Sequence, residues 1–194
     1  MLHLAIGIVI LLGTLLITRT WFREADEQLF LWIHGIVGDL GDGPLVYLTE
    51  LGSLYAMVAL GIALWVTGRR RLGGPVLIAL ATSSIIGYAW KMAIARPRPY
   101  EVFPQVLDLN EILIQSFPSG HSLVTFTVAG VMMVRCPRYA NLMLVFAGLI
   151  AVSRVLIGAH FPFDVIAGAA LGLLIGKGVG GTGLWSEDRP VDGK

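Results

Sequence analysis

Long apolar runs separated by short polar connections dominate this sequence. Six runs can be counted, at about residues 4–18, 45–67, 74–95, 118–134, 139–157 and 162–176. Several are close to the lower limit of roughly 17 residues for a helix that crosses a bilayer, so flanking residues must complete them. The pattern predicts an all-α integral membrane bundle of six transmembrane helices. The first run could instead be a signal peptide, but it has neither a basic n-region nor a small-residue cleavage site, and we expect a retained helix.

The connection between the first two runs, residues 22–41, has a pattern of its own. Apolar residues recur there at helical spacing, and three acidic residues precede them: Leu29, Ile33, Ile36, Val37 and Leu40 follow Glu24, Asp26 and Glu27. This arrangement predicts an amphipathic helix that lies in the membrane interface.

The composition agrees with a single membrane domain. The chain of 194 residues is 56% hydrophobic and 14% charged, whereas soluble domains carry about 25% charged residues. Its net charge of +1 and the lack of a dense basic run argue against a nucleic-acid partner. Cys136 is the one cysteine, which excludes an internal disulfide and a cysteine-rich metal site. We expect one domain over residues 1–176 and a poorly ordered, Gly- and charge-rich tail over 177–194.

Three cations stand in short polar stretches beside the apolar runs. Arg98 and Arg154 can each form two parallel hydrogen bonds to a phosphate, and Lys91 adds a compact positive charge. The alternative is that such side chains extend to lipid headgroups without any catalytic role. That alternative stays open for Lys91, and it is the favoured interpretation of Arg96.

The sequence Pro-Ser-Gly-His at residues 118–121 predicts a turn that leads into a helix N-terminus. Gly120 leaves room for an oxygen to approach the backbone, where free N–H groups bind anions. Ser119 adds a hydroxyl donor. The alternative is that these residues only mark the start of a helix, where they are common.

His160 and Asp164 are four residues apart, with Pro162 suited to the first turn of a helix. On one helical face, the carboxylate can hold the imidazole Nδ1–H and leave Nε2 as a nucleophile. The alternative is a helix-capping Asp and an interfacial His. His121 has no carboxylate nearby in the sequence, so it better suits proton transfer to a leaving group. His3 and His34 receive no role.

The six-span topology places all of these residues on one side of the membrane. Both termini and the second–third and fourth–fifth connections share the other side, which is rich in cations: Arg69, Arg70, Arg71, Arg135, Arg138, Lys177, Arg189 and Lys194. The positive-inside rule makes that side cytoplasmic. We discount the motif cations, because a phosphate site needs them on whichever side it lies. The polar stretches then face the periplasm or the exterior of an inner (plasma) membrane.

A metal site is the rival explanation for the His and Asp residues. Metal-dependent phosphatases use clustered carboxylates or several histidines. Here one Asp stands among three or four cations, which would repel a divalent ion, while Glu101, Asp108 and Glu111 are expected in a solvated loop. The sequence therefore predicts no metal and no cofactor.

Taken together, the stretches resemble the signature of the type 2 phosphatidic acid phosphatase superfamily of lipid phosphate phosphatases. Its pattern Lys-x6-Arg-Pro matches 91–99, Pro-Ser-Gly-His matches 118–121, and Ser-Arg-x5-His-x3-Asp matches 153–164, with no departure. The family fold is a helical bundle with its active site at the membrane surface, usually without a metal. Vanadium haloperoxidases share this site, but they are soluble, and the apolar runs argue against that activity.

The resemblance implies a role for each motif residue. His160 attacks phosphorus and becomes a phosphohistidine, Asp164 orients it, and His121 protonates the leaving group and later activates water. The phosphoryl group is bound by the other motif residues: Lys91, Arg98, Ser119, Gly120 and Arg154.

The expected function is hydrolysis of a lipid phosphomonoester or diphosphate. Undecaprenyl diphosphate ranks first, ahead of phosphatidylglycerophosphate, phosphatidate and lipid A phosphate, and specificity is expected in the loop 101–117. A transporter or headgroup-binding protein without hydrolysis is the alternative of another class. It is disfavoured because mere binding needs only the cations. Membrane lipids are the expected partners, and the oligomeric state is not predicted.

Overall fold

The computed structural model describes residues 20–36, 44–106 and 115–183, and every regular element within these ranges is helical. The helices are α1 (Thr20–His34), α2 (Pro44–Thr49), α3 (Leu54–Val66), α4 (Arg70–Ile94), α5 (Pro99–Val102), α6 (Gly120–Arg135), α7 (Pro137–Leu156) and α8 (Pro162–Gly180). A short 3₁₀ turn, Glu50–Gly52, joins α2 to α3. The predicted first apolar run lies outside the described residues.

Within the described residues, three helical segments are long and apolar enough to cross a membrane: Arg70–Val102, Pro137–Leu156 and Pro162–Gly180. A fourth results if Leu45–Gly52 and Leu54–Val66, bent by 47°, are taken as one span. Helix α6 has only 16 residues, which is just short of the roughly 17 that a span needs. The all-α membrane class is confirmed, while the count of six spans stays a prediction.

One face of α7 shows how the helices meet lipid. Leu142, Val145, Leu149 and Val152 are all exposed, and they are spaced by three or four residues. Residues at this spacing share one side of a helix. A continuous apolar surface of this kind is the expected boundary with the hydrocarbon core.

The backbones of α6 and α8 pack in direct contact. Three glycines on α8 make this possible: Gly168, Gly172 and Gly176. A Cβ atom at Gly168 would lie only 2.6 Å from the carbonyl oxygen of Ser119, and Cβ atoms at the other two would also meet α6 carbonyls. Small residues at four-residue spacing are typical of such close helix pairs in membranes. The contact ties the beginnings of both helices together, because the Ser119 N–H donates to the Asp164 carbonyl at 3.0 Å.

The predicted helix between the first two runs is present as α1, which ends at His34, but its most buried residues are not the predicted apolar ones. Asp26 and Phe30 are buried, whereas Leu29 and Ile36 are exposed. The reason is that α1 packs on protein, where the Phe30 ring stacks on Phe103 with centroids 5.8 Å apart. One of the acidic residues that precede the apolar positions, Asp26, is thus buried in the protein, and the interfacial position of α1 stays a prediction.

The last helix continues past the predicted end at residue 176, through Lys177 to Gly180. Its final turn is held by Arg135 at the end of α6, whose Nε donates to the Gly180 carbonyl at 2.6 Å and which also bonds the Thr182 carbonyl. A cation that hydrogen-bonds terminal carbonyls stabilises a helix end. Residues 184–194 of the predicted tail lie outside the described residues.

Candidate active site

The motif residues meet at one cavity of about 430 Å³ between the ends of α4, α6 and α7. Its motif-derived lining consists of Lys91, Arg98, Pro118, Gly120, His121, Arg154 and His160. Ser119 and Asp164 are completely buried and do not line the cavity. Folding thus brings together side chains from stretches that are far apart in the sequence.

The end of α4 directs the first motif toward the cavity. Ala95 has a left-handed backbone with φ 47°, and its N–H donates to the Lys91 carbonyl at 2.9 Å. This conformation stops the helix and costs a non-glycine residue about 1–2 kcal/mol. The chain then turns sharply, so that Arg96 and Arg98 both point into the protein, where they are buried.

The three predicted phosphate-binding cations are buried beside the cavity. Their exposed fractions are 6% for Lys91, 2% for Arg98 and 1% for Arg154. Lys91 Nζ donates to the Gln115 carbonyl at 2.7 Å, and Arg98 Nη1 donates to the Ala159 carbonyl at 3.0 Å. The charged ends of Lys91 and Arg98 are therefore held against the protein backbone. Concentrated positive charge at so little exposure is costly unless an anion accompanies it.

The Pro-Ser-Gly-His turn leads into the first turn of α6 as predicted. A Cβ atom added at Gly120 would meet nothing within 4 Å, so the protein itself does not fill this space beside the cavity. The Ser119 Oγ has no hydrogen-bond partner among the described residues. Both observations fit an anion at the N-terminus of α6, where backbone N–H groups are available.

His160 is 1% exposed, and its link to Asp164 runs through a third residue. The His160 Nδ1 lies 3.7 Å from Asp164 Oδ2, too far for the predicted direct hydrogen bond. Ser116 Oγ lies between them, 2.5 Å from Asp164 Oδ2 and 3.3 Å from His160 Nδ1. The Ser116 hydroxyl donates to the carboxylate, so its oxygen accepts from Nδ1–H and leaves the Nε2 lone pair available.

The surroundings of His160 favour its neutral form. Burial lowers the pKa of His160 well below its ordinary value, and the nearby charges of Arg98, Lys91 and Arg154 lower it further. The neighbouring carboxylate of Asp164 acts in the opposite direction on this pKa, but its effect is smaller than that of burial. At neutral pH the imidazole therefore carries the lone pair that a nucleophile needs.

Arg96, for which the sequence favours a headgroup role, is instead buried behind the site. Its Nη1 donates to Asp164 Oδ1 at 2.7 Å, and its Nη2 donates to Asp26 Oδ2 at 2.8 Å. The physical reason is that a buried carboxylate needs a partner, and the turn at Ala95 presents this guanidinium to it. The position of Arg96 within the Lys-x6-Arg-Pro motif does not indicate its contacts with Asp164 and Asp26.

His121 faces a carboxylate that sequence proximity could not reveal. Its Nε2 lies 3.5 Å from Oε1 of Glu50, in the 3₁₀ turn far earlier in the chain. The His121 side chain is 15% exposed and that of Glu50 is 58% exposed, and both line the cavity. This histidine is therefore the more accessible of the two.

Among the described residues, no group of three or more His, Cys, Asp or Glu side chains is arranged to hold a metal ion. Asp108 and Glu111 lie outside those residues, and Glu101 is exposed but lies in the short helix α5 instead of a loop. Metal independence stays a prediction.

The chain matches the family model of the PAP2 superfamily over residues 72–180. It belongs to the PAP2 superfamily. The resemblance seen in the motifs is thereby confirmed, since this is the superfamily of type 2 phosphatidic acid phosphatases. The matched segment holds every motif and runs from α4 to the end of α8.

Similarity to individual proteins supports the same family assignment. The chain is 31% identical over 134 residues to an undecaprenyl-diphosphatase of Sulfolobus acidocaldarius, a match that covers 68% of this chain and 65% of that protein. It is 30% identical over 163 residues to the bacitracin transport permease protein BcrC of Bacillus licheniformis, covering 79% and 78% of the two chains. The crystal structure of a transmembrane PAP2-type phosphatidylglycerolphosphate phosphatase from Bacillus subtilis is similar, with a TM-score of 0.76, 25% identity, and coverage of 96% of this chain and 98% of that one.

Proposed function

We propose that this protein is a membrane lipid phosphatase that hydrolyses a lipid phosphomonoester or diphosphate without a metal, through a phosphohistidine at His160. One observation carries the proposal. A buried, neutral imidazole, held at Nδ1, faces a cavity whose walls contain three buried cations. Membership of the PAP2 superfamily and the names of its relatives support it.

In the first step, the phosphoryl group of the substrate occupies the cavity. Lys91, Arg98 and Arg154 neutralise its non-bridging oxygens, and N–H groups at the start of α6 add hydrogen bonds. His160 Nε2 attacks phosphorus, a N–P bond forms, and the P–O bond to the leaving group breaks. His121 donates its proton to the departing oxygen and becomes neutral.

In the second step, water replaces the leaving group. Neutral His121 accepts a proton from the water while the water oxygen attacks phosphorus. The N–P bond breaks, inorganic phosphate forms, and His160 returns to its neutral state with Ser116 and Asp164 still holding Nδ1. His121 is again protonated, so the cycle closes without a cofactor.

The apolar part of the cavity wall supports a lipid substrate. Leu54, Tyr55, Tyr88 and Leu123 line it beside the charged residues. We rank undecaprenyl diphosphate first, which the name of the Sulfolobus relative supports, and keep phosphatidylglycerophosphate, phosphatidate and lipid A phosphate as alternatives. Phosphate release from each lipid in detergent would rank them directly.

The membrane arrangement that we propose has six spans, cytoplasmic termini, and the site facing outward from the cytoplasmic membrane. Arg69, Arg70 and Arg71 lie at the start of α4, and Arg135 ends α6. Both helix ends are opposite to the cavity, which supports this orientation. The single native cysteine, Cys136, offers a test. A membrane-impermeant maleimide should label Cys136 of the wild type only in inverted vesicles. In a Cys136→Ser background, it should label Glu101→Cys only in right-side-out vesicles. The reverse pattern would invert the topology.

The catalytic test compares the purified wild type with His160→Ala. The wild type should release phosphate from a polyprenyl diphosphate in the presence of EDTA, and the variant should release none. Wild-type rates in the variant would refute the mechanism. Activity that disappears with EDTA and returns with a divalent cation would refute metal independence.

A lipid transporter without hydrolysis is the second candidate, favoured by the transport name of the Bacillus licheniformis relative. Headgroup binding alone requires neither the nucleophile His160, nor the carboxylate of Asp164 that orients it, nor the second histidine, His121. Movement of lipid phosphate across vesicles that persists in His160→Ala would favour transport.

A further inference from the structure

A buried cation bridges two buried carboxylates behind His160. Arg96 donates to Asp164 at 2.7 Å and to Asp26 at 2.8 Å, and all three side chains are buried. They come from α8, from the turn after α4, and from α1. Since one partner is the carboxylate of the catalytic histidine, the bridge connects α1 to the nucleophile.

Further contacts fix the bridge in place. The Arg96 guanidinium carbon lies 4.1 Å from the centroid of the Phe161 ring, and the Arg96 carbonyl accepts from the Ser116 N–H at 2.8 Å. The second oxygen of Asp26, Oδ1, accepts from the Phe163 N–H at 3.0 Å. Arg96 thus contacts the residue that holds Nδ1 and the residue that follows His160.

The bridge does not bind substrate itself. Neither Asp26 nor Arg96 lines the cavity, whereas Lys91, Arg98 and Arg154 do. Any influence of the bridge on catalysis must therefore be indirect, through Asp164 and through the residues beside His160 that Arg96 contacts. A buried charge that loses its partner is strongly destabilised, so both carboxylates depend on Arg96.

Helix α1 connects this bridge to the outer surface of the protein. Its inner side docks through Phe30, whose ring centroid lies 5.3 Å from that of Phe161. It also exposes large apolar residues, Leu29 and Trp32. The same short helix therefore supplies a carboxylate to the site and an apolar face to its surroundings.

We propose that Asp26 and Arg96 are positioning residues of the catalytic carboxylate, so that docking of α1 completes the site that holds His160 for attack. The inference rests on the proposed function, because it takes His160 as the nucleophile. It assigns a catalytic contribution to a helix that lies outside all three motifs.

The charges around His160 predict a pH effect that a purely structural role of Asp26 and Arg96 would not produce. His160 is faced by Asp164 and Ser116 on its Nδ1 side, by Lys91, Arg98 and Arg154 around the cavity, and by the His121–Glu50 pair across it. Behind Asp164, the positive charge of Arg96 and the negative charge of Asp26 cancel.

Asp26→Asn leaves the charge of Arg96 uncompensated, which disfavours the imidazolium. The acid limb of the pH profile of kcat/KM, which reports protonation of His160, should then move to lower pH. Arg96→Gln leaves two carboxylates, which favour the imidazolium, so the acid limb should move to higher pH. The double variant restores the net charge, and its acid limb should return toward that of the wild type.

The experiment measures kcat, KM and the acid limb with farnesyl diphosphate in detergent micelles. We expect kcat to fall about 100-fold in Arg96→Gln and about tenfold in Asp26→Asn, with KM within about threefold, as the loss of charged hydrogen bonds implies. Arg96→Lys and Asp26→Glu, which keep the charges, should recover part of the loss. Glu27→Gln is the matched control, because it breaks the exposed pair with Arg23 on the same helix and should leave activity unchanged.

The outcomes separate the hypotheses. Opposite shifts of the acid limb in the two single variants, cancelled in the double variant, support the inference. Shifts in the same direction, no shifts, or a change confined to KM would overturn it. If Arg96→Gln does not fold, Asp26→Asn still tests the inference: its acid limb should move to lower pH, and that of the charge-conserving Asp26→Glu should stay in place. An inert wild type would remove the proposed function together with this inference, whereas an active wild type with an unaffected Asp26→Asn would remove this inference alone.

Discussion

The two histidines at the cavity have contrasting surroundings. His160 is 1% exposed, with Ser116 at its Nδ1 and Asp164 behind that hydroxyl. His121 is 15% exposed at its side chain and faces a single carboxylate, Glu50, at 3.5 Å. A nucleophile must stay in one position relative to phosphorus. A proton carrier must serve the leaving group first and water afterwards. The fixed histidine and the accessible histidine match these two requirements.

The largest effect that sharpens this contrast is expected from His121→Ala. Loss of the proton donor should slow hydrolysis of a lipid phosphate about 10²–10⁴-fold. It should slow p-nitrophenyl phosphate far less, because that leaving group departs without a proton. Release of the leaving group in the first turnover provides the measurement on both substrates, because hydrolysis of the phosphohistidine also needs His121 and is common to both. Equal losses on the two would contradict a proton-transfer role.

A smaller effect is expected from Ser116→Ala, which removes the hydroxyl between His160 and Asp164. The loss of hydrogen bonds to a charged group, about 1.5–3 kcal/mol, should lower kcat by about 10–100-fold and leave KM nearly unchanged. Ser83→Ala is the matched control, because Ser83 is also buried but bonds only the Leu80 carbonyl in its own helix. Full activity of Ser116→Ala would mean that Asp164 acts on His160 without the hydroxyl.

The smallest effect is expected from Glu50→Gln on the accessible side of the cavity. Glu50 is half-exposed and its contact with His121 is long, so we expect a loss of about threefold to tenfold, in line with about 1 kcal/mol for an exposed charge pair. The loss should be confined to substrates with poor leaving groups. A loss as large as that of His121→Ala would show that the proton donor is held as firmly as the nucleophile.

The sequence predicts much of the site because the motifs lie at the ends of long apolar helices. The order of the apolar runs was enough to predict that Lys91, Arg98 and Arg154 lie on one side of the bundle with both histidines, and the fold brings them to one cavity. The predicted runs also correspond to α4, α6, α7 and α8, with differences at the ends, such as the extension of α8 that Arg135 holds in place.

The residues that the sequence missed act through contacts between distant segments. Ser116 carries no periodic signal, and Glu50 reaches His121 only through the fold. Asp26 could have been found, because it shares a helical face with Phe30 and an acid on an apolar face needs a buried partner. Its partner Arg96 was assigned to headgroups, since nothing local shows that α1 docks against it.

The central claim is that His160 carries the phosphoryl group. The most direct measurement uses a polyprenyl diphosphate labelled with ³²P in its terminal phosphate, quenched in base, where phosphohistidine survives, after milliseconds to seconds of reaction. His121→Ala should accumulate acid-labile, base-stable label, because loss of the base that activates water slows hydrolysis of the intermediate. Peptide mapping should place that label on His160, and the double variant with His160→Ala should carry none. Label on another residue, or phosphate release without any labelled enzyme, would contradict the account.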